Sequence, residues 1–147
     1  MVNLLCRDYF STDTSATRGV AAGSDVIFLS LPSGEVVSEV ARGPDGLLAT
    51  TTAGQIVIDL STSPVDTTRT LAREFAARGV VFIDAPVART RAAAEAGTLS
   101  VMVGGDASVF ETVRPLLATF ANDITLCGPV GCGQVVKILN NMILFEI

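Results

Sequence analysis

The feature that most limits how this chain can fold is an alternation. Short runs of apolar, mostly β-branched residues recur along it, and between them lie stretches with helical spacing. Asp25-Val26-Ile27-Phe28-Leu29-Ser30-Leu31 is the clearest run, and Pro32 stops it. Gln55–Leu60 and Val80–Asp84 follow, then Leu99–Val103, which alternates more clearly, and a last short strand at Ile124–Cys127. A short apolar run with little polar alternation is the pattern of a strand buried on both faces. Helices are expected at about 17–22 and 34–41. Another runs from a Ser63 cap with Pro64 at its first position and Asp66 in its first turn, to about Arg78. An alanine-rich helix spans 91–96, and one over 107–120 has Pro115 forcing a kink or a restart. Strands alternating with helices imply a mainly parallel sheet with helices on both faces.

The chain has 147 residues, enough for one domain. A domain of that size buries roughly 68–70% of its unfolded surface. Its apolar share of 49% rules against disorder. A net charge of -5 and no Lys/Arg cluster argue against a nucleic-acid surface. There is no histidine, so Ser-His-Asp and Cys-His catalysis are excluded and a metal site is not expected. Cys6, Cys127 and Cys132 show no CxxC spacing, and an odd count fits reduced thiols in a cytoplasm. The apolar patch at 1–5 is too short for a signal peptide. No apolar run approaches the ~18 residues needed to cross a membrane.

In open α/β sheets ligands lie beyond the carboxyl ends of the strands. Those ends are Leu31-Pro32-Ser33, Ser61-Thr62-Ser63 and Ala85-Pro86-Val87. Their small, polar or turn-forming residues suit a cofactor lying across them, and they suit ordinary strand-to-helix turns as well. Near the end of the chain the glycine-rich turn Gly128-Pro129-Val130-Gly131-Cys132-Gly133 runs into an apolar helix carrying Lys137 and Asn141. The two are four apart and share a helical face. Two readings of Lys137 stand on spacing. One is a lysine in apolar surroundings, with a pKa lowered by lost hydration and tuned for proton exchange. The other is a surface lysine snorkelling beside a core helix.

These pieces, in this order, resemble the β-hydroxyacid dehydrogenase family, which includes 3-hydroxyisobutyrate and tartronate-semialdehyde reductases and shares a 6-phosphogluconate dehydrogenase-like cofactor domain. The resemblance rests on Asp25-Val26-Ile27-Phe28-Leu29-Ser30-Leu31-Pro32, Asp59-Leu60-Ser61-Thr62, Asp84-Ala85-Pro86-Val87, Ala96-Gly97-Thr98-Leu99, Val103-Gly104-Gly105 and the Lys137–Asn141 helix, and covers about residues 20–147. It implies a partial Rossmann-like, doubly wound sheet, NAD or NADP as cofactor, and hydride transfer at a hydroxyl or aldehyde carbon of a small acidic substrate. By position, Lys137 would be the proton donor or acceptor and Asn141 its substrate-binding neighbour. Leu31, Pro32 and Thr62 would line the cofactor. With no histidine, Lys137, the sole lysine, also stands out as general acid/base.

Three departures qualify the resemblance. The family begins with a strand and a GxGxxG turn that cradles pyrophosphate. The chain has no such motif, and Gly19-Val20-Ala21-Ala22-Gly23 neither follows an expected strand nor has the right spacing. The first βαβ unit is therefore expected to be lacking. The residue that separates NAD from NADP would lie in that unit. The sequence also ends at Ile147, inside the lysine helix, whereas the family continues into a helical domain. Ala88-Arg89-Thr90 stands where the family usually has Ser-Gly-Gly, and is similar to the branch acting on sulfolactaldehyde. A guanidinium binds planar or tetrahedral anions in bidentate fashion, which would make Arg89 and Thr90 substrate-binding. Alternatively Arg89 covers a helix start in solvent.

The expected organisation is a poorly patterned segment at 1–24, the second half of a nicotinamide-binding domain at 25–130, and the start of an interdomain helix at 131–147. Two functions fit: an NAD(P)-dependent oxidoreductase of small hydroxy acids or aldehydes, or a non-catalytic remnant that folds with a partner. Without neighbours, the strand at 25–31 should be an exposed apolar edge. The segment 142–145 should be uncovered. Self-association or a homo-oligomer is expected, with neither nucleic acid nor membrane as partner.

Overall fold

A computed structural model describes residues 2–6 and 14–145. In chain order they form β1 (Val2–Cys6), α1 (Thr14–Ala22), β2 (Val26–Ser30), α2 (Gly34–Arg42), α3 (Leu47–Thr50), β3 (Ile56–Asp59), α4 (Val65–Ala76), β4 (Val81–Asp84), β5 (Val87–Ala88), α5 (Arg91–Glu95), β6 (Leu99–Gly104), α6 (Ala107–Leu117), β7 (Ala121–Gly128) and α7 (Cys132–Phe145). They build one sheet in which β1, β2, β3, β4 and β6 follow one another, β5 pairs with β6 in the same register as β4, and β7 also pairs with β6. β1 to β4 are parallel neighbours, β6 is antiparallel to β4 and β5, and β7 is parallel to β6. The alternation implies a mainly parallel sheet, and the family resemblance a partial Rossmann-like one; both describe what is found.

Strand periodicity explains why helices cover both faces. Successive side chains point to opposite sides. Ile27 and Leu29 of β2, Val57 of β3 and Phe82 of β4 therefore pack with Val37, Ala41, Leu47, Leu71 and Phe75 of α2, α3 and α4. Phe28, Ile58 and Ile83, one residue out of phase, pack with Phe110, Val113 and Leu117 of α6. Phe75 stacks on Phe82 with centroids 5.4 Å apart, and Phe28 meets Phe120 edge-on at 6.0 Å. Full burial of each such side chain contributes on the order of 1.5–3 kcal/mol.

The start of the chain departs from expectation. β1 and α1 fall in residues 1–24, and β1 pairs with β2 in parallel along its whole length, from Val2↔Val26 to Cys6↔Ser30. A strand therefore does precede Gly19, and β2 is not an edge, so the expected exposed edge at 25–31 is corrected. The sequence between β1 and α1, residues 7–13, holds no glycine, so the unit carries no GxGxxG turn. Two local expectations also change. Proline 64, not Ser63, caps α4, and no side chain caps that end, because the Ser63 hydroxyl is used elsewhere. Pro115 is carried inside α6 without interrupting it.

Candidate functional site

The site forms where strand ends meet the first turn of α7. β3 and β4 end on carboxylates, Asp59 and Asp84, which face each other as register partners and are both wholly buried. Buried carboxylates require partners, and each has two in hand. Asp84 Oδ1 accepts from Gly131 N–H at 2.7 Å and Oδ2 from Gln134 N–H at 2.9 Å. These amides open α7, where N–H groups lack helical partners and the dipole favours an anion. Asp59 accepts from Ser61 N–H at 2.9 Å and from the Ser63 hydroxyl at 3.1 Å. Burial pushes the Asp59 carboxyl up to about 6, against the pull of its hydrogen bonds. Burial also raises Asp84.

Glycine lets α7 come this close. A Cβ on Gly133 would lie 2.3 Å from the Met102 carbonyl oxygen and 2.8 Å from Asp84 Oδ2. Gly131, at φ 92°, adopts a backbone conformation that costs other residues strain. The glycine-rich turn is thus a docking device that seats the helix on the sheet.

From that seat the side chain of Gln134 reaches across to β3. It is fully buried. Its Oε1 accepts from Ser63 N–H at 3.1 Å, and its Nε2 donates to the Ser61 carbonyl at 2.8 Å. The two bonds flank Thr62, whose own side chain is exposed. Ser61 Oγ in turn accepts from Leu31 N–H at 2.9 Å, so the turn after β2 is tied to the turn after β3. Leu31 is half-buried and Pro32 exposed beside it. Lys137 and Asn141 follow Gln134 at i+3 and i+7, on the same helical face. Both are half-buried, and burial lowers the Lys137 pKa.

One expectation about Lys137 is corrected. Its apolar sequence neighbours do not enclose it. Val135, Val136, Ile138 and Leu139 are exposed, and Met142, Ile143 and Leu144 are 58–64% exposed. The uncovered apolar end expected at 142–145 is there at 142–144.

Arg89 and Thr90 are held by a different device. β5 continues β4 outward, antiparallel to β6. The pairs run from Asp84↔Gly104 to Ala88↔Ser100. Ala85 and Pro86 link the two strands, and β5 carries the chain past Asp84 on the side of the carboxyl ends of the parallel strands. Arg89 follows, exposed, with φ 88°, the one positive φ at a non-glycine among the described residues. That backbone is uncommon for arginine and is the conformation glycine would adopt freely. Thr90 caps α5 by accepting from Ala93 N–H at 3.4 Å. Among the described residues no hydrogen bond or ion pair joins either of them to α7.

Sequence reasoning missed Gln134, Asp84, Asp59, Ser61 and Ser63 as site-building residues. The signal available was chemical: an aspartate closing each of two apolar strands, where that residue type is seldom buried.

Residues 5–128 match the family described as the NAD binding domain of 6-phosphogluconate dehydrogenase. The chain is similar to a 2-(hydroxymethyl)glutarate dehydrogenase of Eubacterium barkeri, 42% identical over 85% of this chain and 42% of that protein. Among solved structures it is similar to a Mycobacterium tuberculosis 3-hydroxyisobutyrate dehydrogenase with L-serine. That likeness has TM-score 0.81 at 38% identity, over 86% of this chain and 43% of that one. A structure of Psf3 in complex with NADP+ and 2-OPP gives TM-score 0.81 at 36% identity, over 85% and 44%. The chain thus spans somewhat under half the length of the relatives it matches.

Proposed function

Because this chain belongs to the family of NAD-binding domains of 6-phosphogluconate dehydrogenase, we propose that it serves hydride transfer between a nicotinamide cofactor and a small acidic 3-hydroxy acid or aldehyde. The cofactor, when bound, supplies or takes the hydride. The residues suit its nicotinamide end: Leu31 and Pro32 offer an apolar ledge and Thr62 a hydroxyl, on two turns tied by the Leu31–Ser61 bond. They do not include a pyrophosphate cradle, since no GxGxxG occurs in the sequence. NAD and NADP both remain candidates.

In this reading Lys137 gives a proton to the alkoxide formed on reduction, or takes it on oxidation. Its partial burial supports the role by lowering its pKa toward the working range. Asn141, four residues on, hydrogen-bonds the substrate. Arg89 and Thr90, on the arm beyond the strand ends, take the acidic group. The observation that carries the proposal is the pair of hydrogen bonds by which Gln134 holds the Thr62 turn, with Lys137 one helical turn on from Gln134.

Relatives named as dehydrogenases of hydroxy acids support the substrate class. No described helix is long and apolar enough to cross a membrane, and a cytoplasmic enzyme is the proposed setting. Titration of the purified chain with NADH and NADPH by fluorescence is the first test. A fusion supplying a strand–GxGxxG–helix unit and a helical half should then turn over. Lys137→Ala in that fusion should leave cofactor affinity unchanged and lower kcat at least 100-fold, the scale of general acid catalysis. A full kcat would remove Lys137 from the chemistry.

A second reading has one specific observation in its favour. The exposed apolar side chains of α7 suit a module that works only when that helix is covered, by a second copy or by a partner chain.

A further inference from the structure

Gln134 takes no part in the chemistry proposed above, yet the site is strung on it. Its side chain is wholly buried, with both amide ends bonded to backbone on either side of Thr62. Its own N–H donates to Asp84. One residue therefore joins the turn after β3, the carboxylate ending β4 and the first turn of α7. A buried apolar side chain of similar volume would fill the same space without fixing direction. Two oppositely directed hydrogen bonds in a dry setting permit one register, since a shift leaves a donor and an acceptor unpaired.

We propose that Gln134 is a positioning residue that fixes the separation between the Thr62 turn and Lys137. The inference rests on the reading of Thr62 and Lys137 given above for its functional meaning.

A single isosteric change separates positioning from space-filling. In Gln134→Glu, the protonated carboxyl can still accept from Ser63 N–H and donate to the Ser61 carbonyl. The ionised carboxylate can only accept, and sets charge against that carbonyl and beside Asp84. Other groups that titrate or carry charge around this point are Asp84, Asp59, Arg69, Cys127 and Cys132.

The experiment is amide hydrogen exchange with nitrogen-edited NMR of the single lysine side chain, on the whole chain. In the wild type, the Ser63 and Gln134 amides should exchange at one common, slow rate, as parts of one opening unit. In Gln134→Glu, protection at Ser63 should hold at low pH. It should fall at least tenfold once the new carboxyl ionises, while Ile58 and Phe82 keep theirs. With the new carboxyl ionised, the Lys137 midpoint should lie nearer the ordinary lysine value than in the wild type. Ser63 exchanging freely in the wild type would overturn the proposal even if the variant failed to fold. So would a folded variant in which Ser63 protection and the Lys137 midpoint both stay as in the wild type. Neither readout needs cofactor or turnover. Failure here would not alter the outcome of the cofactor titration, and failure of that titration would leave this coupling standing.

Discussion

Replacing Asp59 by asparagine should stabilise this chain at neutral pH and flatten its dependence on pH. Asp59 is wholly buried at the end of β3, and burial lifts its pKa from 3.8 to about 6. A difference of about 2 units corresponds to about 3 kcal/mol between the two protonation states. The folded value lies above the unfolded one. In the window between them the folded chain holds a proton that the unfolded chain has released. The stabilisation is therefore full below about pH 4 and is lost as pH rises through about 6. At pH 7.5 the ionised group costs up to about 3 kcal/mol, and acidifying to pH 5 should recover ~1 kcal/mol of it. Asp84, also raised by burial, pulls in the same direction. The exposed carboxyls of Glu35 and Asp106 are held low by serine hydrogen bonds and oppose it only at more acidic pH. The chain contains no histidine to titrate in the same window. Asparagine keeps the shape, accepts from Ser61 N–H and can donate to the Ser63 hydroxyl. Urea unfolding at pH 5, 6 and 7.5 should show the wild type losing stability with rising pH and Asp59→Asn losing less. The variant should melt up to roughly 6–12 °C higher at pH 7.5. Parallel profiles for the two proteins between pH 5 and 7.5 would refute the argument.

Three further outcomes are expected. Gly133→Ala should destabilise by on the order of 1–3 kcal/mol, because its Cβ would press on the Met102 carbonyl and Asp84; chemical denaturation measures it. Arg89→Gly should raise stability by ~1 kcal/mol by relieving its positive φ. In a cofactor-competent fusion it should raise KM for acidic substrates by tenfold or more, an unchanged KM placing Arg89 outside the substrate's reach. Ile143→Glu with Leu144→Glu should shift sedimentation toward monomer at concentrations where the wild type associates, since both side chains are 64% exposed.

What the sequence determined by itself was the order and type of most elements. The runs at 25–31, 55–60 and 80–84 are apolar at both alternating positions. That pattern admits few places other than a strand covered on two faces, and helices lie between them to do the covering. The glycine-rich turn and the Lys137–Asn141 spacing were equally local and equally legible. The tertiary structure decided matters that depend on distant partners. Residues 2–6 are too brief to declare themselves alone and become a strand by pairing with β2. Ser63 has the chemistry of a helix cap, but Asp59 takes its hydroxyl, and a buried carboxylate has more to lose unpaired than a helix end facing water. Gln134 looks like one polar residue in an apolar helix. Only the fold sets it opposite Ser61 and Ser63, 73 and 71 residues away, where its amide completes both bonds. Hydrophobic periodicity is written along the chain. The pairing of buried polar groups is written between parts of it, and only folding brings those parts together.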